Sequence, residues 1–431
     1  MSVEIQAPEA PSLNYFDKAL DLTDDPPPKL QVSGTFEQRA SYYLQQLGAL
    51  LKAPAFVLTE KAFRYFGPVH PNMFDQSSRF QEYAGRSLLV ALLILAMIPA
   101  PGTVGIGAVC ALGSVAGAAL LGCTLKLVAR WIDRRDFLHL QVGEPLQFAE
   151  DQLTVVSANI CAIEAGLGYI CGGVLPFAQR IDRIVAALTM STGPKKPDVL
   201  MLQEVWSLRA AHALANQLSH LGYCEFYFSI GDSGISPGAA LFVASRHKLE
   251  NPQVEHFTGI GAFDMQRCFF SVELPHREGA ERKVHLMTAH PAPSADDLEP
   301  SQSEKEVRQA QLCQLFKRIG LLDRLVLAGD FNMMPNELKS VLEKQGPEAL
   351  AVQGDLHKAT CTQNLGNTYL SKPLAEDVRL DYIITQNLSK ATAVESLIPL
   401  YEEAEMVDGE RSINTQTALS DHHALKLLIQ V

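Results

Sequence analysis

The chain of 431 residues lacks the closely spaced cysteines that mark small zinc-binding or disulfide-stabilised domains. Its eight cysteines are scattered, and no two of them have the Cys-x-x-Cys spacing. The absence of that spacing argues against a structural zinc motif and against a compact disulfide scaffold. A reducing compartment is therefore the expected environment.

Positive charge is scarce in the C-terminal part of the sequence. Residues 146–431 contain 24 lysines and arginines against 35 aspartates and glutamates, a net charge of −11, whereas residues 1–145 carry a net charge of −1. An acidic region of this kind is a poor electrostatic match for a nucleic-acid backbone. With 47% hydrophobic residues, the chain can nevertheless bury a large core.

Charge is absent altogether from residues 87–125, "SLLVALLILAMIPAPGTVGIGAVCALGSVAGAALLGCTL". The "PAPG" sequence divides this hydrophobic segment, because proline and glycine interrupt a helix. The second piece, residues 103–125, has 23 residues. That length can cross a hydrocarbon core of roughly 30 Å at about 1.5 Å per residue. The sequence predicts a membrane hairpin or a membrane helix here.

Basic residues flank the hydrophobic segment on both sides, with Arg86 before it and Lys126 and Arg130 after it. Such flanks favour the cytosolic face of a membrane. We therefore expect a re-entrant hairpin, with the C-terminal domain membrane-associated and facing the cytosol. The alternatives are a single spanning helix and a glycine-rich helical pair buried in a water-soluble fold.

The regions around the hydrophobic segment differ in composition. Residues 1–86 are predicted to be partly disordered with amphipathic helices, and residues 1–30 contain no apolar run of the kind found in a secretory signal. Residues 126–149 are predicted to be a linker. From residue 150 to residue 431, short apolar runs alternate with helical patterns, which indicates an α/β domain.

Polar residues stand at the ends of the strands predicted in this domain. They are Asn159, Glu204, His290, Asp330, Asn332 and Asp381, together with Asp421 and His422 at the start of the last strand. Strand ends cluster at one edge of a layered α/β fold, and ligands bind there. We therefore expect these side chains to form one site.

The residue types in this set predict a chemistry. A hard cation such as Mg²⁺ takes oxygen ligands, which fits Glu204, Asn159 and an aspartate. A histidine beside an aspartate can serve as the general base that activates water. A second histidine and an asparagine can stabilise charge on a phosphoryl oxygen. Together they predict metal-assisted attack of water on phosphorus.

Five motifs in a fixed order carry a family resemblance: "SANI", "LQEVW", "GDFN", "LDYIIT" and "SDHH". With them, residues 150–431 resemble the endonuclease/exonuclease/phosphatase superfamily. The resemblance implies a four-layered α/β sandwich of two central sheets, here preceded by a helical membrane-associated segment. It also implies hydrolysis of a phosphate ester with Mg²⁺ as the cofactor, for which Mn²⁺ can substitute.

The resemblance assigns roles to the metal-binding and phosphate-binding residues. Glu204 is expected to bind the metal, Asn159 to orient its shell, and Asp421 to complete the metal site. Asp330 and Asn332 are expected to position and polarise the nucleophile and the phosphate.

The two histidines that stabilise charge and accept a proton are assigned in the same way. His290 is expected to stabilise the transition state, and His422 to be the base, paired with Asp381 or Asp421. His423 has the parity of the apolar residues in the last strand, which predicts a core position for it.

Local stretches narrow the resemblance to one branch of the superfamily. "LMLQEVWSLRAAHALANQL" and "EVRQAQLCQLFKRI" are similar to the neutral sphingomyelinases, and the hydrophobic segment is similar to that of their membrane-bound type. This implies a membrane phospholipid substrate, sphingomyelin, cleaved to ceramide and phosphocholine. Alternatives are an inositol-polyphosphate phosphatase, a nuclease of the same superfamily and a non-enzymatic membrane scaffold.

Overall fold

The protein is described by a computed structural model, which places a defined subset of its residues. These are residues 35, 37–47, 117, 120–122, 124–128, 135–163, 177–190, 195–231, 238–258, 267–293 without 278, 302–361 without 348, 378–388, 394–400 and 419–431. Most of the hydrophobic segment at 87–125 lies outside this set, and with it the predicted hairpin. Among the described residues, no helix combines the length and the apolar character needed to cross a bilayer.

One sheet forms from apolar runs distributed over the whole domain. Its strands are β1 (Leu138–Gln141), β2 (Gln152–Asn159), β3 (Val199–Gln203), β4 (Glu225–Phe228), β5 (Phe242–Ser245), β12 (Val394–Ile398) and β13 (Ala424–Gln430). They lie in the order β1-β4-β5-β3-β2-β13-β12. Only β2 and β3 run parallel among these pairs, so their carboxyl ends emerge at the same edge.

The second sheet is built from the middle of the domain. Its strands are β6 (Glu250–His256), β7 (Cys268–His276), β8 (Gly279–Ala289), β9 (Leu325–Asp330), β10 (Leu350–Val352) and β11 (Asp381–Gln386). They lie in the order β10-β11-β9-β8-β7-β6. Strands β8 and β9 run parallel, which again brings two carboxyl ends together.

Helices cover the outer face of each sheet. They are α1 (Ile181–Met190), α2 (Leu208–His220), α3 (Gln302–Ile319) and α4 (Pro335–Gln345). Ser207 caps α2 by accepting a hydrogen bond from the Ala210 amide, and a proline occupies the first turn of α4. Both features are typical of helix N-termini, because the first amides lack partners within the helix.

Three apolar layers hold the four structural layers together. Residues such as Val155 and Leu427 of the first sheet pack between the sheets against Leu286 of the second. Helices α1 and α2 cover the other face of the first sheet, and α3 and α4 cover the other face of the second. The predicted four-layered α/β sandwich is confirmed for the described part of the chain.

The sandwich begins earlier in the sequence than predicted. Strand β1 pairs antiparallel with β4 in the register Leu138 opposite Phe228, although residues 126–149 were expected to form a linker. The strand forms because its alternate residues Leu138 and Leu140 are buried in the core, whereas His139 and Gln141 are partly exposed. A helix at residues 37–47 also packs on the sandwich, where Tyr42 stacks on His212 of α2 with ring centroids 5.5 Å apart.

Candidate active site

The two sheets bring the predicted polar residues to one edge of the sandwich. Asn159 ends β2, and Asp330 ends β9. The side-chain amide of Asn159 donates a hydrogen bond of 3.0 Å to Asp330 Oδ2. Both side chains are buried. This contact joins the edge of the first sheet to the edge of the second, so the site lies at the boundary between them.

An aspartate–histidine pair forms the centre of the site. The Nδ1 atom of His422 lies 2.7 Å from Asp381 Oδ2, and its Nε2 atom lies 3.9 Å from Asp330 Oδ2. The sequence left Asp381 and Asp421 as alternative partners of His422, and the structure places Asp381 in that position. The other ring nitrogen faces the site.

Neighbouring carboxylates strengthen His422 as a base. Burial alone would lower the pKa of this imidazole, but the nearby carboxylates, Asp381 foremost, outweigh burial and raise its pKa well above the ordinary value. A carboxylate on Nδ1 makes the ring a stronger base and fixes its orientation. His422 is thus placed and tuned to accept a proton at Nε2.

Asp330 is held by two hydrogen bonds. Its Oδ1 atom accepts the backbone amide of Asn332 at 2.9 Å, while Oδ2 accepts the amide of Asn159. Burial and the neighbouring Asp381 raise the pKa of Asp330 to about 7. The Asn332 side chain donates to the carbonyl oxygen of Pro291 at 3.1 Å, so this asparagine also ties the "GDFN" turn to the loop after β8.

His290 approaches Asp330 from β8. Its Nε2 atom lies 3.7 Å from Asp330 Oδ2. Gly329 permits this approach, because a side chain at that position would clash with the carbonyl oxygen of Ala289. On the other side of the ring, Nδ1 lies 2.8 Å from a guanidinium nitrogen of Arg267. Burial, Arg267 and His422 together hold the pKa of His290 well below its ordinary value.

Glu204 and Asp421 bring two more carboxylates to the same edge. Glu204 follows β3 and has a φ of 62°, a left-handed conformation that is uncommon for a residue with a side chain and typical of functional sites. Burial and the charge of Asp421 raise the pKa of Glu204, and a hydrogen bond from Asn159 partly offsets that effect.

This donor set fits a hard divalent cation. Glu204, Asp421 and Asn159 offer oxygen atoms, the ligand type that Mg²⁺ prefers. A cation between the two carboxylates would relieve the repulsion that raises the pKa of Glu204. The Asp381 Oδ1 atom is also buried, with no hydrogen-bond partner among the described residues. Asp330, Asp381 and His422 form a second group of potential ligands, whose ligand atoms lie within 4.8 Å of one another.

The segment that carries Asp421, His422 and His423 differs in one respect from its predicted form. Strand β13 begins at Ala424, whereas Asp421 and His422 were expected to open it. The strand starts later because the His423 amide bonds to the Thr360 carbonyl oxygen at 2.7 Å, outside the sheet ladder. Alternation along a strand therefore does not decide the orientations of His422 and His423, although His423 is buried as expected.

Three residues that the sequence did not single out hold these loops. The Thr360 hydroxyl accepts the amides of Leu380 and Asp381 at 3.0 and 3.1 Å. The Ser420 hydroxyl oxygen lies 2.7 Å from the Asn159 carbonyl oxygen and 3.2 Å from Asp421 Oδ1.

The third residue, Arg180, is fully buried just before α1. Its guanidinium donates to the carbonyl oxygens of Ile160 at 3.2 Å, of Cys161 at 2.6 Å and of Leu419. It therefore connects the loop after β2 to the loop before β13. Apart from the contact between the neighbours Ser420 and Asp421, these supporting contacts join residues at least 19 positions apart, so no local pattern could have revealed them.

Comparison with solved structures finds several chains that are similar to this one. SmcL matches with 18% identity and a TM-score of 0.50, over 65% of this chain and 99% of SmcL. Danio rerio TDP2 in complex with a single-strand DNA product matches with 18% identity and a TM-score of 0.46, over 65% of this chain and 100% of the other. A Staphylococcus aureus beta toxin variant with bound magnesium ions matches with 17% identity and a TM-score of 0.47, over 64% and 99%.

No curated protein matches the sequence. The profile of the Endonuclease/Exonuclease/phosphatase family, by contrast, matches residues 171–422. The matched region runs from before α1 to His422 and so contains most of the site described above. The chain belongs to the Endonuclease/Exonuclease/phosphatase family.

Proposed function

We propose that this protein is a metal-dependent phosphodiesterase that hydrolyses a membrane phospholipid, sphingomyelin, to ceramide and phosphocholine. The observation that carries the hydrolytic part is the buried pair of His422 Nδ1 and Asp381 Oδ2, 2.7 Å apart, with Nε2 of the same ring directed into the site. A histidine oriented in this way is equipped to take a proton from water.

The reaction proceeds by attack of water on phosphorus. His422 Nε2 accepts a proton from the attacking water, and Asp381 holds the ring and stabilises the imidazolium that forms. A new bond forms between the water oxygen and phosphorus, and the bond from phosphorus to the ceramide oxygen breaks. The leaving oxygen takes up a proton from solvent, and the imidazolium of His422 returns its proton to solvent. The Oδ2 atom of Asp330 lies 3.9 Å from His422 Nε2 and 3.7 Å from His290 Nε2. Asp330 therefore orients the reacting groups between the two histidines.

The transition state carries additional charge on the phosphoryl oxygens. His290 is placed to donate a hydrogen bond to one of them, and Asn332 maintains the loop geometry on that side. A divalent cation held by Glu204, Asn159 and Asp421 would neutralise negative charge on the phosphate when bound.

The lipid substrate is supported by features outside the catalytic residues. The charge-free residues 87–125 are suited to a bilayer. Near the C-terminal end of this hydrophobic segment, the helical residues Leu120 and Leu121 are 70% and 52% exposed. The charge of −11 over residues 146–431 disfavours a nucleic-acid substrate. We propose that the hydrophobic segment keeps the catalytic domain at the cytosolic face of a membrane.

The direct test uses the full chain on mixed-lipid vesicles containing sphingomyelin and inositol phospholipids, with a single-stranded oligonucleotide present and Mg²⁺ in the buffer. Phosphocholine, ceramide, inorganic phosphate and nucleotides are measured in the same reaction. The proposal expects phosphocholine and ceramide in equal amounts, and at least about 10²-fold slower release of both by the His422→Ala variant. Release of inorganic phosphate alone, or of nucleotides alone, would assign another branch of the family and contradict the proposed substrate.

A further inference from the structure

Arg267 is a buried cation that the mechanism above does not use. It precedes β7 directly, and only 2% of its surface is exposed. One guanidinium nitrogen lies 2.8 Å from His290 Nδ1, and the centre of the guanidinium lies 5.4 Å from the ring centroid of Trp206. Trp206 follows Glu204 by two positions, so Arg267 connects the loop after β3 to the end of β8.

The contact with His290 has a definite chemical consequence. A guanidinium group has only N–H donors and remains protonated in proteins. The Nδ1 atom of His290 must therefore accept the hydrogen bond with its lone pair, and the ring proton must be on Nε2. An imidazolium would present an N–H group to the N–H group of Arg267, at a distance of 2.8 Å between the nitrogens.

The remaining ring nitrogen faces the reaction centre. Nε2 of His290 lies 3.7 Å from Asp330 Oδ2, at the point where the phosphate would be held. A neutral ring with its proton on Nε2 can donate a hydrogen bond there, but it cannot serve as the base. This separates His290 from His422, whose Nδ1 has a carboxylate partner instead of a guanidinium.

We propose that Arg267 is a positioning residue that fixes His290 as a neutral imidazole with its proton on Nε2, directed at a phosphoryl oxygen of the substrate. Trp206 adds a cation–π contact to the guanidinium. The assignment of the phosphoryl oxygen as acceptor rests on the proposed function, whereas the tautomer does not.

The tautomer can be measured without substrate. Nitrogen NMR on the full chain labelled at its histidines distinguishes a protonated ring nitrogen from an unprotonated one, and His290→Ala identifies the signals of His290. We expect Nε2 protonated and Nδ1 unprotonated at neutral pH, and we expect the Arg267→Met variant to lose this single form. An imidazolium signal in the wild type, or signals unchanged in Arg267→Met, would overturn the proposal.

Kinetics separate positioning from direct substrate binding. Partners that orient a functional histidine are typically worth about 10- to 100-fold in activity, so Arg267→Met should lower kcat by about that factor and leave KM nearly unchanged. Arg267→Lys keeps an N–H donor and should recover part of kcat. A large rise in KM with kcat intact would show that Arg267 binds substrate, and would contradict the positioning role.

A matched control tests for a general effect of losing a buried arginine. Arg308 of α3 is 1% exposed and pairs with Glu337 of α4 at 3.2 Å. Arg308→Met should lower stability without changing the His290 signals, and a matching change in those signals would contradict a specific role for Arg267. If the protein released no phosphocholine but His290 showed the expected tautomer, the proposed function would fail while the tautomer assignment stood.

Discussion

Asp330 and Asp381 stand opposite each other in the register of β9 and β11, yet only Asp381 pairs directly with the imidazole of His422. The distances from the ring nitrogens are 2.7 Å to Asp381 and 3.9 Å to Asp330. Burial, with Asp381 as the second cause, raises the pKa of Asp330 to about 7. Two like residues that stand opposite each other on neighbouring strands therefore have different contacts: Asp381 pairs with the His422 ring, whereas Asp330 lies near both His422 and His290.

The first prediction concerns that base. His422→Ala removes the proton acceptor and should lower kcat by at least about 10²-fold, the low end of what general base catalysis contributes. His423→Ala should affect the free energy of unfolding more than kcat, because His423 is buried beside Thr360. Steady-state kinetics and urea unfolding on both variants check this, and exchanged phenotypes would show that the wrong histidine has been assigned.

The partner of the base gives a second prediction. Asp381→Asn places an amide opposite His422 Nδ1, and that amide can donate a hydrogen bond where the carboxylate only accepts. The ring would then carry its proton on Nε2 and lose its capacity as a base. We expect kcat to fall by at least about 10²-fold with little change in the circular dichroism spectrum. Near-normal turnover would mean that Asp421 can replace Asp381 as the partner.

Much of this arrangement could be predicted from the sequence, and the reasons for the remainder are physical. Strands such as β3 and β9 are continuous apolar runs that end in polar residues, so both the strands and the site residues carry a local signal. Strand β6, "ENPQVEH", is an edge strand with a proline and three charged or titratable residues. Its position in the fold depends on pairing with β7, which no local pattern records.

The same distinction applies to the site. The "SDHH" and "LDYIIT" motifs predicted which residue types meet, but left open whether Asp381 or Asp421 pairs with His422. Thr360 holds the segments of both residues together. Its hydroxyl accepts the Asp381 amide, and its carbonyl oxygen accepts the His423 amide, so Asp381 lies beside His422. Arg267 was missed for a similar reason, since its partner His290 is 23 positions away in sequence.

The third prediction concerns the metal. Activity should disappear with EDTA and return with Mg²⁺ or Mn²⁺, and Glu204→Gln should abolish it. Since a ligand that binds only the folded state raises the melting temperature, Mg²⁺ should raise the Tm of the wild type and not that of Glu204→Gln. Without metal, Glu204→Gln should be at least as stable as the wild type, because it removes the repulsion with Asp421. Full activity in EDTA would contradict a metal-assisted reaction.

The fourth prediction concerns stability at acidic pH. Burial lowers the pKa of His212 to about 4, from an ordinary value of 6.5. Between these values the unfolded chain binds a proton at His212 that the folded chain does not, so the free energy of unfolding should fall as the pH drops from about 6.5 towards 4. Urea unfolding of His212→Gln should show a weaker decline over this range. An identical decline in both proteins would assign the acid sensitivity to other groups.

The fifth prediction concerns Arg180, whose guanidinium satisfies three backbone carbonyl oxygens in the interior. Arg180→Met leaves these oxygens without a charged donor and should lower the free energy of unfolding by about 3 kcal/mol. Arg183→Met, a control in α1 at a partly exposed position, should change it by less than about 1 kcal/mol. Equal losses in the two variants would show that the three carbonyl contacts contribute little.

The contact between Asn159 and Asp330 joins the edges of two separate sheets, and the pair of Asp381 and His422 does the same. Neither half of the sandwich therefore contains a working set of groups, and catalysis depends on how closely the sheets are docked. A small slip of one sheet over the other would separate the base from the residues around the phosphate while leaving every strand intact. Turnover therefore reports on the docking of the two sheets, which secondary structure alone does not.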